Sequence, residues 1–149
     1  GFEMAIRADL CRLFLWAARQ ALRSGNQTEF RNIDDAALMT LRRAYSYIDA
    51  NSAQPLSMEE VAAHCGMKYT AFSRFFARYT QKSFPEYLTE VRLKKATILL
   101  TTTQDSVTEI ALTAGFSTSS YFIQRFRRKH GVSPGRFRRQ FLSGLTPNG

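Results

Sequence analysis

The side chains with chemistry to offer are concentrated in two stretches, residues 68–78 and 118–128. The first carries Lys68, Tyr69, Thr70, Ser73, Arg74 and Arg78, the second Thr118, Ser119, Ser120, Ile123, Gln124, Arg127 and Arg128. These are cations and hydrogen-bonding groups, with few nucleophiles and no carboxylates among them. A guanidinium such as that of Arg74 presents two parallel donors that match guanine O6 and N7. A carboxamide such as that of Gln124 matches adenine N6 and N7, and Ile123 has the right surface for a thymine methyl. Short hydroxyls both give and accept. Catalytic chemistry has far less support. His64 and His130 stand apart from each other and from Cys11 and Cys65, whose spacing is not that of a zinc site. No nucleophile–base pair, carboxylate pair or glycine-rich phosphate loop is recognisable. The chain is therefore read as non-enzymatic, with no cofactor and no metal.

Composition points the same way. The chain has 149 residues, of which 44% are hydrophobic and 13% aromatic, enough to build a packed core. Its net charge of +9 favours a polyanionic partner, either nucleic acid or an anionic membrane surface. The excess is uneven: between Tyr121 and Gln140 lie Arg125, Arg127, Arg128, Lys129, Arg136, Arg138 and Arg139, and no acid. No apolar run approaches a membrane span and no leader is recognisable, so a cytoplasmic protein with buried free thiols is expected. The chain starts at Gly1 without an initiator Met, which suggests missing upstream sequence.

The elements that must position these groups follow from periodicity. Residues 3–24 read as a helix, with Ile6, Leu10, Leu13 and Ala17 in one stripe. A second helix runs from about Ala36 to Ala50, with Leu38, Leu41, Ala44, Tyr45 and Ile48 on one side. Then one pattern is stated twice. "SMEEVAAHCG" and "SVTEIALTAG" each begin with a capping box, Ser57 with Glu60 and Ser106 with Glu109. Each ends at a glycine suited to a left-handed turn, Gly66 and Gly115. An aromatic-rich helix follows each, with Phe72, Phe75, Phe76 and Tyr79 in the first copy and Phe122 and Phe126 in the second. These phenylalanines, with Phe137, are expected in the core. Glu60 and Glu109 are 49 positions apart, whereas Phe72 and Phe122, Phe76 and Phe126, and Arg78 and Arg128 are 50 apart. One residue is thus added in the second turn. Short helix, glycine turn and second helix make a helix-turn-helix, present twice. Between the copies the spacing predicts a long helix from Ser83 to Leu100, with Tyr87, Leu88, Val91, Ile98 and Leu99 buried. A closing helix follows "GVSPGRFRRQFL", and no strand is expected.

Three stretches, "PLSMEEVAAHCGM", "SRFFARYTQKSFPEYLTEVRLKKATILL" and "TEIALTAGFSTSSYFIQRFRRKHGVSPGRFRR", carry a family resemblance. From about Leu38 to Phe141 the chain resembles the DNA-binding domain of AraC/XylS-type bacterial transcription regulators. The resemblance implies an all-α fold in which two helix-turn-helix subdomains are joined by a long linker helix. Residues 38–143 would form that domain. Residues 1–24 would be a helix left from an upstream effector or dimerisation domain, 25–37 a linker and 144–149 a tail.

The implied partner is double-stranded DNA, with a recognition helix in each of two successive major grooves. Tyr69, Thr70, Ser73 and Arg74 in the first copy, and Thr118, Ser119, Ser120, Ile123 and Gln124 in the second, then become base-reading candidates. Lys68, Arg78, Arg127 and Arg128 become phosphate contacts. RNA polymerase is a further partner implied by the family. A small-molecule effector and homodimerisation are implied only through the upstream domain. The sequence departs from the family at two positions: Gln124 stands where arginine is common, and Lys68 where a hydroxyl N-cap is usual. The first departure predicts A/T-inclined readout in the second groove. A competing reading is a basic module for protein or membrane-surface contact without sequence readout.

Overall fold

The structure, a computed structural model, describes residues 35–144. The helix expected over 3–24, most of the linker and the tail from residue 145 lie outside the described residues. Every regular element among the described residues is a helix: α1 (Asp35–Asn51), α2 (Met58–His64), α3 (Tyr69–Thr80), α4 (Phe84–Thr102), α5 (Val107–Ala114), α6 (Ser119–His130) and α7 (Pro134–Leu142). They divide into two compact units. Among the described residues one holds 35–50 together with Leu56–Phe84, the other Asn51–Pro55 together with 85–144.

In the first unit α2 starts because both halves of the expected capping box form. The Ser57 hydroxyl accepts from the Glu60 amide at 3.2 Å, and the Glu60 carboxylate accepts from the Ser57 amide at 2.7 Å. Two of the four amides left over at a helix start are thereby satisfied. The helix stops at a turn in which Gly66 takes φ +70° and the Met67 amide reaches back to the Ala62 carbonyl at 2.9 Å. Leu41, Ala44, Tyr45 and Ile48 of α1 are buried, as are Val61 and Ala62 of α2 and Phe72 and Phe76 of α3. Phe76 meets Phe84 edge-to-face, with ring centroids 6.0 Å apart. Leu38, placed by periodicity in the α1 stripe, is exposed, one turn ahead of Leu41, where burial begins. Phe75 and Tyr79 are only half-buried, because they lie a step round the helix from Phe72 and Phe76; their rings pack on each other at 4.8 Å.

The second unit repeats the plan. The Glu109 amide donates to the Ser106 hydroxyl at 3.1 Å and the Ser106 amide to the Glu109 carboxylate at 2.7 Å. In both boxes the N-cap backbone amide, helped by the serine hydroxyl, holds the glutamate below the usual carboxylate range. The core gathers Leu93, Ala96 and Leu100 of α4, Ile110, Ala111 and Ala114 of α5, Phe116 of the turn that follows, Phe122 and Phe126 of α6, and Phe137 of α7. This corrects the expectation for α4. Of the residues expected to be buried there, Leu88 is buried and Leu99 packs partly against the core, but Ile98 is 60% exposed. Tyr87 and Val91 are half-buried. Apolar residues occur on all sides of this helix, so hydropathy alone could not select the stripe 93, 96, 100.

The two second helices differ at their starts. Thr118 caps α6, its hydroxyl accepting from the Tyr121 amide at 3.2 Å. Lys68 occupies the same place before α3 and makes no side-chain cap bond. A hydroxyl N-cap contributes about 1 kcal/mol relative to a residue that cannot cap. Lys68→Thr should therefore stabilise the first unit by about that amount in urea titrations. A variant no more stable than the parent would show that the α3 amides are satisfied without a cap.

Candidate nucleic-acid interface

α3 is built with one face committed to the core and one left over. Phe72 and Phe76, both fully buried, fix its rotation, and their four-residue spacing puts them on one side. Thr70, Arg74 and Arg78 repeat at the same spacing on the far side, and all three are exposed. Tyr69 is 48% exposed on the first turn, and Ser73 is half-buried at the edge of the face. Lys68, just before the helix, is also exposed. Arg78 lies 5.8 Å from the centroid of the Tyr79 ring, within cation–π range.

α6 has the same length as α3, 12 residues, and the same arrangement. Phe122 and Phe126 are fully buried, and Ser120, Gln124, Arg127 and Arg128 are exposed. Gln124 therefore occupies the register of Arg74, and Arg128 that of Arg78. Three expected members of this face stand differently. Ile123 is half-buried and packs against the core of the unit, which draws it away from the exposed row. Thr118 is exposed, but its hydroxyl oxygen is engaged by the cap. Ser119 is half-buried. Tyr121, not singled out by the sequence reading, is 44% exposed on the first turn of α6, with its ring 6.2 Å from Phe116. Its counterpart in the first copy is Ala71, so comparing the copies gave no signal for it.

The basic block behind α6 is not uniform. Arg127, Arg128, Lys129, Arg136 and Arg139 are exposed. Arg138 instead turns inward, its Nε donating to the Leu100 carbonyl at 2.9 Å, so it closes α7 onto α4. His130, the last residue of α6, packs against the rings of Phe126 at 4.2 Å and Phe137 at 5.2 Å, with its Nε2 buried and unbonded. Burial, reinforced by the neighbouring Lys129 charge, pushes its pKa below the usual value of about 6.5. A base whose folded pKa is depressed gives stability that is complete above its unfolded pKa and is lost as pH falls through the folded value. The melting temperature should therefore drop on acidification from pH 7 towards 5, before the two capping glutamates titrate. His130→Leu should remove that part of the drop; an unchanged pH profile would assign it elsewhere.

Among the described residues no group of three His, Cys, Asp or Glu side chains could hold a metal ion, and no helix is long and apolar enough to cross a membrane. Cys65 is a buried free thiol at 3.9 Å from the Thr40 carbonyl, and burial raises its pKa.

Residues 61–140 match a family model described as a helix-turn-helix domain. The regulatory protein PocR of Salmonella typhimurium is 34% identical over 107 residues, which are 72% of this chain and 35% of PocR. Among solved structures, an AraC-type DNA-binding-domain regulator from Chromobacterium violaceum superposes with a TM-score of 0.66 at 30% identity. It covers 72% of this chain and 96% of that one. The DNA-binding domain of AdpA, solved in complex with a target DNA, gives the same TM-score at 28% identity, covering 73% and 97%. The chain spans about a third of the length of the curated relatives it matches.

Proposed function

Since the chain belongs to the AraC/XylS-type family of DNA-binding transcription regulators, we propose that it binds duplex DNA sequence-specifically, with α3 and α6 in successive major grooves. The observation that carries this reading is the duplicated face. Two helices of equal length each bury two phenylalanines and leave a polar row outward, ending in an arginine. In a helix-turn-helix the early exposed residues of the second helix meet base edges, and later ones meet the backbone. Thr70 and Arg74 in one copy, and Ser120 and Gln124 in the other, take the base-reading role. Ser73 and Tyr69 flank the first row, and Tyr121 joins Ser119 beside the second. Lys68, Arg78, Arg127 and Arg128 take the phosphates, where a cation adds affinity without sequence information. The solved AdpA complex shows that a domain of this fold binds its target DNA.

No catalytic step is part of this reading. The protein acts in the cytoplasm on the nucleoid. Effector response and self-association are assigned to sequence outside α1–α7, and RNA polymerase is a further partner that no single residue here identifies.

Selection of bound duplexes from a random pool tests the proposal. Two boxes should be recovered, about 10 base pairs apart centre to centre. The box read by α3 should contain a guanine, and that read by α6 should be richer in A·T pairs. Recovery of one box, or of none, would overturn the paired reading. Capture by anionic vesicles as strong as by any duplex would favour a basic surface module instead.

A further inference from the structure

The cations of α4 are explained by neither the exposed rows nor the cores. Arg92, half-buried, donates from Nε to the Ser52 carbonyl at 2.7 Å and from an Nη to the Gln54 carbonyl at 2.9 Å. A planar fork spanning two carbonyls of one loop is what a guanidinium supplies and a single ammonium does not. Lys95, three residues on, donates from Nζ to the Ser52 hydroxyl at 2.5 Å. Ser52 is fully buried, and the loop is closed on itself by the Gln54 amide, which donates to the Asn51 carbonyl at 3.1 Å. The loop so held stands against the turn between α5 and α6. A Cβ at Gly115 would strike the Ser52 carbonyl oxygen and stand 2.8 Å from Arg92 Nε and 3.0 Å from Ala53 Cα. All of these residues belong to the second unit.

The turn leads directly into the outward row of α6. Thr118 caps the helix three residues after Gly115, and Ser120 and Tyr121 lie on its first turn. Phe122 and Phe126 fix the rotation of α6, and Phe116 anchors the turn in the core. At Gly115 backbone meets backbone, and the restraint there is Ser52–Ala53, pinned by Arg92 and Lys95. Burial lowers the pKa of Arg92 and the Tyr121 phenol works against that shift, so the first turn of α6 lies within electrostatic reach of the guanidinium. We propose that Arg92 is a positioning residue for base reading by α6: by pinning the loop against the Gly115 turn, it fixes the attitude in which Ser120 and Gln124 meet the bases. Lys95 supports it through Ser52. The inference rests on the reading of α6 as a recognition helix. Its physical basis is preorganisation: polar groups discriminate only when supporting hydrogen bonds hold them within about 0.5 Å of the productive geometry. Phosphate contacts carry no sequence information, so a loosened turn costs base preference before it costs general affinity.

The test uses the full chain and the selected duplex, with either box scrambled in turn. The box read by α6 is the one whose base preference Gln124→Ala changes. The parent should lose about tenfold or more in affinity when that box is scrambled. In Arg92→Met, which keeps the apolar stem, the same loss should fall to about threefold or less, while the loss on scrambling the α3 box stays within about twofold of the parent's. Arg92→Lys, which keeps the charge but not the fork, should lie between. A folded Arg92→Met with the parent's discrimination at the α6 box overturns the proposal and leaves α6 standing as a reader. A purely structural role would weaken every duplex alike with both preferences kept, and that result overturns the proposal too. A parent indifferent to both scrambled boxes overturns the underlying reading as well. Should Arg92→Met lose its helical circular dichroism, Arg92→Lys and Lys95→Met take its place, and parental discrimination at the α6 box in both is equally fatal.

Discussion

Gly115→Ala should destabilise the second unit by more than about 3 kcal/mol, whereas Gly66→Ala should cost only about 1 kcal/mol in the first. Both glycines turn the chain between the helices of a helix-turn-helix, and both have positive φ, +103° and +70°. A side chain is strained at either. The difference lies in what surrounds them. Nothing lies within 4 Å of a Cβ built at Gly66, so only the backbone conformation resists alanine there. A Cβ at Gly115 would overlap the Ser52 carbonyl oxygen and come within 3.0 Å of Ala53 Cα. These are backbone atoms of a loop held by Arg92 and Lys95, and they cannot step aside as a flexible side chain would. Urea unfolding followed by circular dichroism would show the split, with DNA binding by Gly115→Ala lost at temperatures where Gly66→Ala still binds. Equal costs at the two turns would mean that the loop yields, and the close approach would then have little energetic weight.

For DNA binding the largest single effect is expected at Arg74. Arg74→Ala should weaken binding to the selected site by about 1–3 kcal/mol, roughly 5- to 150-fold, and relax the preference at one base pair. Arg128→Ala supplies the contrast. Its side chain is exposed two turns along α6, where phosphate rather than base is expected, so it should weaken selected and random duplexes alike. The slope of log K against log salt should become shallower by about 0.9 for that lost contact. Titrations at several salt concentrations separate the two outcomes. Equal weakening of specific and random DNA by Arg74→Ala would remove it from the base-reading row.

Much of this protein was legible in its sequence because the relevant physics is local. A serine three residues before a glutamate satisfies helix-start amides whatever the rest of the chain does, and both boxes formed where expected. Phenylalanines four apart fix which side of a helix faces inward, and Thr70, Arg74, Ser120 and Gln124 were thereby placed outward. The capping role of Thr118, by contrast, came from the structure: it holds the place before α6 that Lys68 holds before α3, and only the threonine caps. The long helix shows where this logic weakens. With apolar residues on all its sides, α4 had no unique inward face by hydropathy, and Ile98 proved exposed while Leu93, Ala96 and Leu100 are buried.

What the sequence determined by itself is the architecture of each copy: capping box, glycine turn, buried phenylalanine pair and outward polar row. Each of these depends on residues within about two turns of one another. Only the tertiary structure distinguished Gly115 from Gly66, drew Ile123 towards the core, and turned Arg138 in to the Leu100 carbonyl. It also assigned Arg92 and Lys95 to a loop some 40 residues earlier in the chain. A donor's partner at that distance depends on how the helices pack, and no spacing pattern encodes it. An arginine that reaches a base and one that holds a loop are identical in the sequence; the burial of Ser52 beside Arg92 is what tells them apart.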